Sequence, residues 1–381
     1  MNNNYNNYKS FIFLVNADWF FLSHRLDLAL KVKKRGYKVY VVCRDTGSAH
    51  KIIKHGLNYI ELKISRSGIN FFKELQILFK TIYIYKKINP MIVQHVSLKC
   101  VIYGSISSIL TGIPSKVINV ITGLGYVFIN KSIINNILRK LFFIILKNFS
   151  NQKFINVFQN KNEMNFFIKK NVVKKERSVL IKGSGVNVNK FNYSSIPDLT
   201  TIKFILPARL LFDKGLEEYA EASFLIQKKY PGYVQCLLAG RIDYDNKNAV
   251  DEKTIKKWEL KKEIIWLGDL SAHEMIKQLK NCHVVVLPSY HEGLPKSLVE
   301  AGSIGRASIA TNVNGCNEII KNNVNGLLIK VRDATSLFEA MEYFIDNPKK
   351  IKSYGLKARK IVESEYSSEI IINQYLNLYE R

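Results

Sequence analysis

Short apolar, β-branched runs alternate with longer helical stretches along this chain, and the alternation occurs twice. In the first half, Phe11-Ile-Phe-Leu-Val15 reads as a buried strand, Ser23 to Arg35 as a helix ended by Gly36, and Lys38 to Cys43 as the next strand. Ile60–Ile64, Met91–Gln94 and Lys116–Ile121 continue the strands, with helices over Phe71–Ile88 and Cys100–Leu110. The second half restarts at Ile202–Leu206 and continues through Val234–Ala239, Ile264–Leu267, His283–Pro288, Ala307–Thr311 and Gly326–Ile329. Its helices fall at Gly215–Tyr230, Ala272–Lys280, Leu298–Ile304, Ala334–Asn347 and Lys352–Glu363. Such alternation predicts a parallel sheet covered by helices on both faces. Run twice, it predicts an α/β chain of two doubly wound, Rossmann-like domains joined near Gly183 to Asn192. A length of 381 residues suits two ordinary domains. In such folds ligands sit beyond the carboxyl ends of the strands, so the loops there are where chemistry is expected.

Charge separates the two halves. The chain carries a formal net charge of +26. Residues 1–190 hold 31 Lys+Arg against 7 Asp+Glu, a net of +24, and the rest hold 26 against 24, a net of +2. Such an excess attracts nucleic acid, a membrane surface or another polyanion. No nucleic-acid-binding module or aromatic platform is evident, so nucleic acid is the alternative class rather than the expected partner. At 47% hydrophobic residues, wholesale disorder is excluded. Cys43, Cys100, Cys236, Cys282 and Cys316 stand apart, without metal-ligand or redox spacing, and suit a reducing compartment. Met1 to Lys9 lacks the apolar stretch of a signal peptide, and Leu141 to Leu146 is far too short to span a bilayer. A non-transmembrane, cytoplasmic protein is the expectation.

Two loops of the second half carry the clearest chemistry. Pro207-Ala-Arg209-Leu-Leu-Phe-Asp213-Lys214-Gly215 follows a strand and opens a helix. Two cations beside a helix N-terminus suit a pyrophosphate, although surface cations are common in a Lys-rich chain. His291-Glu292-Gly293-Leu294-Pro295-Lys296-Ser297-Leu298-Val299-Glu300 follows the apolar run Val284 to Pro288. Glu292 sits in a turn tightened by Gly293 and Pro295, and Glu300 about one turn into the following helix. Two such carboxylates can hold two hydroxyl-bearing parts of one ligand, a sugar and a ribose. First-turn acids are also favoured by the helix dipole alone. Asp243-Tyr-Asp245 has metal-binding spacing in a polar loop, and solvation of that loop is the preferred reading.

These residues resemble the retaining nucleotide-sugar glycosyltransferases of family 4, which have the GT-B fold. Further similarity lies in Phe21-Leu-Ser-His-Arg-Leu26, Thr122-Gly-Leu-Gly-Tyr-Val-Phe128, Gly185-Val186 with Phe191, Leu238-Ala-Gly240 and Gly326-Leu-Leu328, matching bacterial surface-polysaccharide members. The resemblance covers nearly the whole chain, and relatives include transferases that add α-1,3-N-acetylgalactosamine to a sugar on undecaprenyl diphosphate. It implies a GT-B chain with two domains facing a central cleft. Residues 1–184 would be an acceptor-binding, membrane-facing domain and 185–360 the donor-binding domain. Residues 361–381 would form a helix packing back on the first. Arg209 and Lys214 would neutralise the donor diphosphate. Glu292, with the amides of Gly293 and Leu294 and with Pro295, would hold the donor sugar. Glu300 would bind the ribose hydroxyls, and Gly240 and Gly268 to Leu270 would border the nucleotide. Glu292, Arg209 and Lys214 are thus the expected catalytic set. A UDP-sugar is the implied donor, with no metal and no further cofactor.

The acceptor side departs from the family pattern. Many relatives have paired glycines after the first strand, where this chain has Asn16-Ala17-Asp18-Trp19, and a histidine where it has Thr122. Trp19, His24, His95, Thr122 and Gly123 are the acceptor-side candidates, with packing as the competing reading for both histidines. Residues 133–153 place Ile133, Ile134, Ile137, Leu138, Leu141, Phe142, Ile145 and Leu146 at helical spacing, with Arg139, Lys140, Lys147 and Lys153 as cations. That suits an interfacial helix carrying Arg139, Lys140, Phe142, Phe143 and Lys147, and equally a core-facing helix with a basic outer side. The leading expectation is a transferase moving an N-acetylhexosamine to a lipid-linked saccharide at the inner face of the cytoplasmic membrane. A sugar-nucleotide epimerase of the same fold is the alternative enzyme.

Overall fold

The computed structural model describes residues 9–64, 71–113, 115–123, 139–140, 142–144, 146–148, 154–244, 246 and 248–380. Two compact units emerge: residues 1–184 together with 371–381, and residues 185–370. Unit 1 is built on a seven-stranded sheet of β1 (Ser10–Ala17), β2 (Lys38–Arg44), β3 (Asn58–Glu61), β4 (Ile92–Val96), β5 (Lys116–Ile121), β6 (Ile155–Phe158) and β7 (Ser178–Leu180). Its order is β3-β2-β1-β4-β5-β6-β7, and every pairing is parallel. Unit 2 has six strands: β8 (Ile202–Pro207), β9 (Val234–Ala239), β10 (Ile265–Trp266), β11 (Val284–Leu287), β12 (Ala307–Thr311) and β13 (Gly326–Ile329). Their order is β10-β9-β8-β11-β12-β13, again all parallel.

The strand sequences explain this architecture. Phe11, Ile12, Phe13, Leu14 and Val15 are all fully buried. Consecutive apolar residues can all be buried only where helices cover both faces of the sheet. The odd-numbered residues of β1 join one core cluster, with Val41 and Ile118, and the even-numbered ones another, with Val42 and Val93. Strands β6 and β7 escaped the sequence reading; β7 has only three residues, too few for a period to show.

One expected helix is two. Instead of a continuous Ser23–Arg35, the chain forms Asp18–His24 and Leu26–Lys34, broken at Arg25 with φ −129°. Arg25 is 1% exposed, and its guanidinium lies 5.0 Å from the Tyr375 ring centroid. Tyr375 belongs to the helix Ser368–Glu380, whose residues from Ile371 onward are part of unit 1. Tyr379 meets Phe11 edge-on at 5.0 Å, its hydroxyl donates to Gln94, and its carbonyl accepts from Lys116 Nζ at 2.8 Å. Ile371, Tyr375, Leu376 and Tyr379 are all buried. At roughly 1.5–3 kcal/mol for each large apolar side chain, they form a substantial part of the unit 1 core. The returning segment starts later than the expected residue 361. Residues up to Glu365 complete the helix Pro348–Glu365, whose Val362 packs in the unit 2 core beside Val285 and Leu298.

Each sheet has one place where the strand order reverses: between β1 and β4 in unit 1, and between β8 and β11 in unit 2. In open parallel sheets that switch point opens a crevice at the carboxyl ends of the strands.

Candidate active site

The switch point of unit 2 gathers both loops singled out in the sequence. The segment after β8 carries Arg209, Asp213 and Lys214, and the segment after β11 carries His291 and Glu292. Glycine makes their approach possible. Gly215 adopts φ +71°, and a Cβ there would lie 2.2 Å from the Pro288 carbonyl oxygen. Tyr290 N donates to the Asp213 carbonyl at 2.9 Å. A third segment joins them through Gly315, where a Cβ would lie 2.4 Å from the Gly293 oxygen. Backbone contacts this close leave little room for relative movement, so the charged groups are preorganised.

Two ion pairs and one histidine–carboxylate contact result. Lys214 Nζ donates to Glu292 Oε1 at 2.6 Å, with side chains only 14% and 13% exposed. His291 Nε2 stands 3.3 Å from Asp213 Oδ2. Arg209 Nη1 donates to Asp243 Oδ2 at 2.7 Å. Asp243 is 7% exposed, so the solvated-loop reading is corrected for that residue, whose carboxylate anchors Arg209; Tyr244 is exposed, and Asp245 lies outside the described residues. Burial lowers the His291 pKa, and Lys214 adds to this, against the attraction of Asp213 and Glu292. Among the described residues, His291 Nδ1 and Asp213 Oδ1 are buried without a hydrogen-bond partner.

Glu300 lies in the helix Lys296–Ile304, half-buried and 3.4 Å from Lys296 Nζ. Burial raises its pKa, and Lys296 offsets part of that. Pro295 is buried immediately before this helix and Leu294 packs against the core, so that turn is held from below. Gly240 has a structural reason to be glycine: a Cβ would lie 1.8 Å from the Ala208 oxygen. Its N–H donates to the Gly268 carbonyl at 2.9 Å. Gly268 adopts φ +74°, and Leu270 packs half-buried against the core.

The acceptor-side candidates do not form one cluster of available groups. His95 is fully buried inside β4, with Nδ1 2.8 Å from Asn119 Oδ1 and Nε2 2.9 Å from the Tyr85 hydroxyl. Burial pushes its pKa down to about 4. It is a neutral core residue, and the acceptor-side assignment is corrected accordingly. His24 is half-buried and stacks on Phe20 with ring centroids 4.2 Å apart. Trp19, Thr122 and Gly123 are half-buried beyond the carboxyl ends of β1 and β5.

Two residues beside this switch point gave no sequence signal. Asp18 is fully buried and accepts from the backbone N–H groups of Trp19, Thr46 and Ser48 at 2.7, 2.9 and 2.7 Å. Burial alone would raise its pKa, but these bonds and one from the Thr46 hydroxyl outweigh it and leave the group below the usual range. Ser97, directly after β4, holds φ +88° and ψ 156°, backbone space that side chains other than glycine's rarely enter.

The interfacial segment divides. Phe142 and Leu146 are 4% and 2% exposed, and Phe142 meets Phe167 edge-on at 6.2 Å. Phe143 is half-buried, while Lys140 and Lys147 are exposed and Arg139 is intermediate. For these residues the core-facing reading holds, and Phe142 is removed from the membrane candidates because its ring fills the core. Residues 133–138, 141, 145 and 149–153 of that expectation lie outside the described residues.

The family comparisons agree with the two-unit architecture. The Glycosyl transferase 4-like family matches residues 11–156, and Glycosyl transferases group 1 matches residues 190–361. The chain is 26% identical to N,N'-diacetylbacillosaminyl-diphospho-undecaprenol alpha-1,3-N-acetylgalactosaminyltransferase of Campylobacter jejuni, over 95% of this chain and 98% of that one. It is 22% identical to the capsular polysaccharide biosynthesis glycosyltransferase CapM of Staphylococcus aureus, over 91% of each. Anabaena HepE, solved with UDP and glucose, superposes with a TM-score of 0.79 at 16% identity, covering 98% of this chain and 100% of that one. Sucrose-phosphate synthase of Thermosynechococcus elongatus gives 0.77 at 18% identity, over 98% of each. The chain is therefore an enzyme with the GT-B fold and belongs to the glycosyltransferases that join a 4-like N-terminal domain to a group 1 C-terminal domain.

Proposed function

We propose that this glycosyltransferase moves an N-acetylhexosamine, best N-acetylgalactosamine, from a UDP-sugar to a saccharide carried on undecaprenyl diphosphate, with retention of anomeric configuration. The observation that carries the reading is the unit 2 switch point, where Lys214 pairs with Glu292 across two closely laced loops, with Arg209 in the first loop and Glu300 in the helix after the second. Arg209 and Lys214 supply the positive charge that a departing nucleoside diphosphate needs. Held by Asp243 and Glu292, they require little reorganisation as charge develops on the leaving phosphate, and such preorganised electrostatics carries much of the rate. Glu292 binds the donor sugar and Glu300 the ribose hydroxyls. No step needs a metal, because the two cations supply the counter-charge.

The acceptor class comes from the relatives. The Campylobacter jejuni transferase and an Escherichia coli α-1,3-galactosyltransferase, 23% identical over 82% of this chain and 81% of that one, both carry diphosphoundecaprenol substrates in their names. The +24 of residues 1–190 suits an anionic leaflet and a lipid diphosphate. We place the protein peripherally on the inner face of the cytoplasmic membrane; no described helix is long and apolar enough to cross one.

The deciding experiment incubates the protein with a panel of UDP-sugars and a polyprenyl-diphosphate-linked saccharide. An α-linked product formed only with acceptor, fastest from UDP-N-acetylgalactosamine, is expected. Epimerised or hydrolysed donor at the same rate without acceptor would overturn transfer in favour of an epimerase.

A further inference from the structure

The helix Phe71–Ile88 turns Ile77, Thr81, Ile84 and Tyr85 inward, each at most 5% exposed. A solvated outer face would be polar. This one instead carries Phe72, Phe79 and Tyr83, which are 76%, 65% and 62% exposed. Spaced by seven and four residues, they share one stripe, because seven residues complete about two turns. Lys73, Lys80, Lys86 and Lys87 are exposed alongside, and Lys87 Nζ lies 5.8 Å from the Tyr83 ring centroid. The acid of this helix, Glu74, is half-buried and bound by Lys99 at 2.9 Å. The helix packs against Leu98–Thr111, which exposes Leu110 to 62% and Ile109 to 39%.

Exposed apolar residues in a contiguous patch mark an interaction surface. Their chemistry selects the partner. Aromatic rings favour the boundary between headgroups and acyl chains, and lysines beside them reach anionic headgroup phosphates. A nucleic-acid duplex would meet the lysines but leave the rings in water. We propose that this face docks the protein on an anionic lipid leaflet, with Phe72, Phe79 and Tyr83 entering the interface and Lys80, Lys86 and Lys87 pairing with lipid phosphates. This rests on the membrane reading above and moves the contact away from residues 139–147, where Phe142 belongs to the core.

The test is flotation of the full chain with phosphatidylcholine vesicles, with or without phosphatidylglycerol. Wild type should bind only the anionic vesicles. Lys80→Glu/Lys86→Glu/Lys87→Glu should weaken binding about a hundredfold, since each lysine contributes about a factor of five. Phe79→Ser/Tyr83→Ser should weaken it about tenfold. Both variants change exposed side chains, so their melting temperatures and UDP binding should match wild type. Lys140→Glu/Lys147→Glu should weaken binding much less. Wild type indifferent to anionic lipid would end both this proposal and the membrane reading. Wild-type binding with undiminished binding of the helix variants, or an equal loss in Lys140→Glu/Lys147→Glu, would end this proposal alone. Light scattering adds a further check: a lipid-free dimer that Phe79→Ser/Tyr83→Ser converts to monomer would assign the face to a second copy and overturn it.

Discussion

The two switch points share a sheet topology and use their polar residues in opposite ways. In unit 2, Arg209, Lys214, Asp213, His291 and Glu292 form pairs that remain partly open to solvent. In unit 1, Asp18 and His95 are fully buried and hydrogen-bonded to the surrounding fold. A charged or titratable residue at the end of a strand therefore does not by itself mark a site. What separates the two cases is whether its bonding capacity is spent on fixing the fold.

This contrast can be broken by mutation. Glu292→Ala should reduce kcat/KM about 100- to 1,000-fold, the usual cost of losing one preorganised electrostatic contact, while the thermal midpoint stays close to wild type. Steady-state transfer and calorimetry check both, and undiminished activity would refute the assigned role. Asp18→Ala should do the reverse. Leaving three N–H groups without their buried carboxylate acceptor should cost about 2–4 kcal/mol in urea unfolding, with the proposed UDP binding by unit 2 retained.

His95 gives the comparison a pH signature. Its native pKa of about 4 lies below the ordinary 6.5. The unfolded chain then takes up the proton first on acidification. Stability is complete above pH 6.5 and falls as pH drops toward 4, by about 3 kcal/mol at most. Denaturant titrations of wild type and His95→Gln should show this slope in the former and a smaller one in the latter. The mildest effect is expected from His291→Gln. Losing the contact to Asp213 loosens the loop bearing Lys214, and one such interaction, worth about 1 kcal/mol, should raise the donor KM about fivefold with little change in kcat. An unchanged KM would show that the Gly215 and Gly315 contacts alone hold the loops.

Local pattern made most of the architecture legible. Runs such as Phe11–Val15 and Val284–Leu287 announce buried parallel strands because every residue in them is apolar. The two loops of the candidate site were legible through residue spacing within ten positions. Their bonding was not, because Arg209 meets Asp243 34 residues away and Lys214 meets Glu292 78 residues away. Distance in sequence also explains the failures. His95 could be read as an acceptor-side residue until Tyr85 and Asn119 closed around it. Phe142 resembled a membrane residue until Phe167 covered it. On Phe71–Ile88, helical period alone could not tell which of two apolar faces pointed outward.

The helix Ser368–Glu380 imposes an order on biosynthesis. Residues 185–370 are contiguous, so unit 2 can complete its core as it leaves the ribosome. Unit 1 starts first yet finishes last, because Tyr375 and Tyr379, which cover Arg25 and Phe11, are translated some 350 residues after them. Until then its nascent sheet carries an uncovered apolar surface and a stranded guanidinium. Unit 1 is thus the half most dependent on chaperones and most sensitive to any lesion after residue 370.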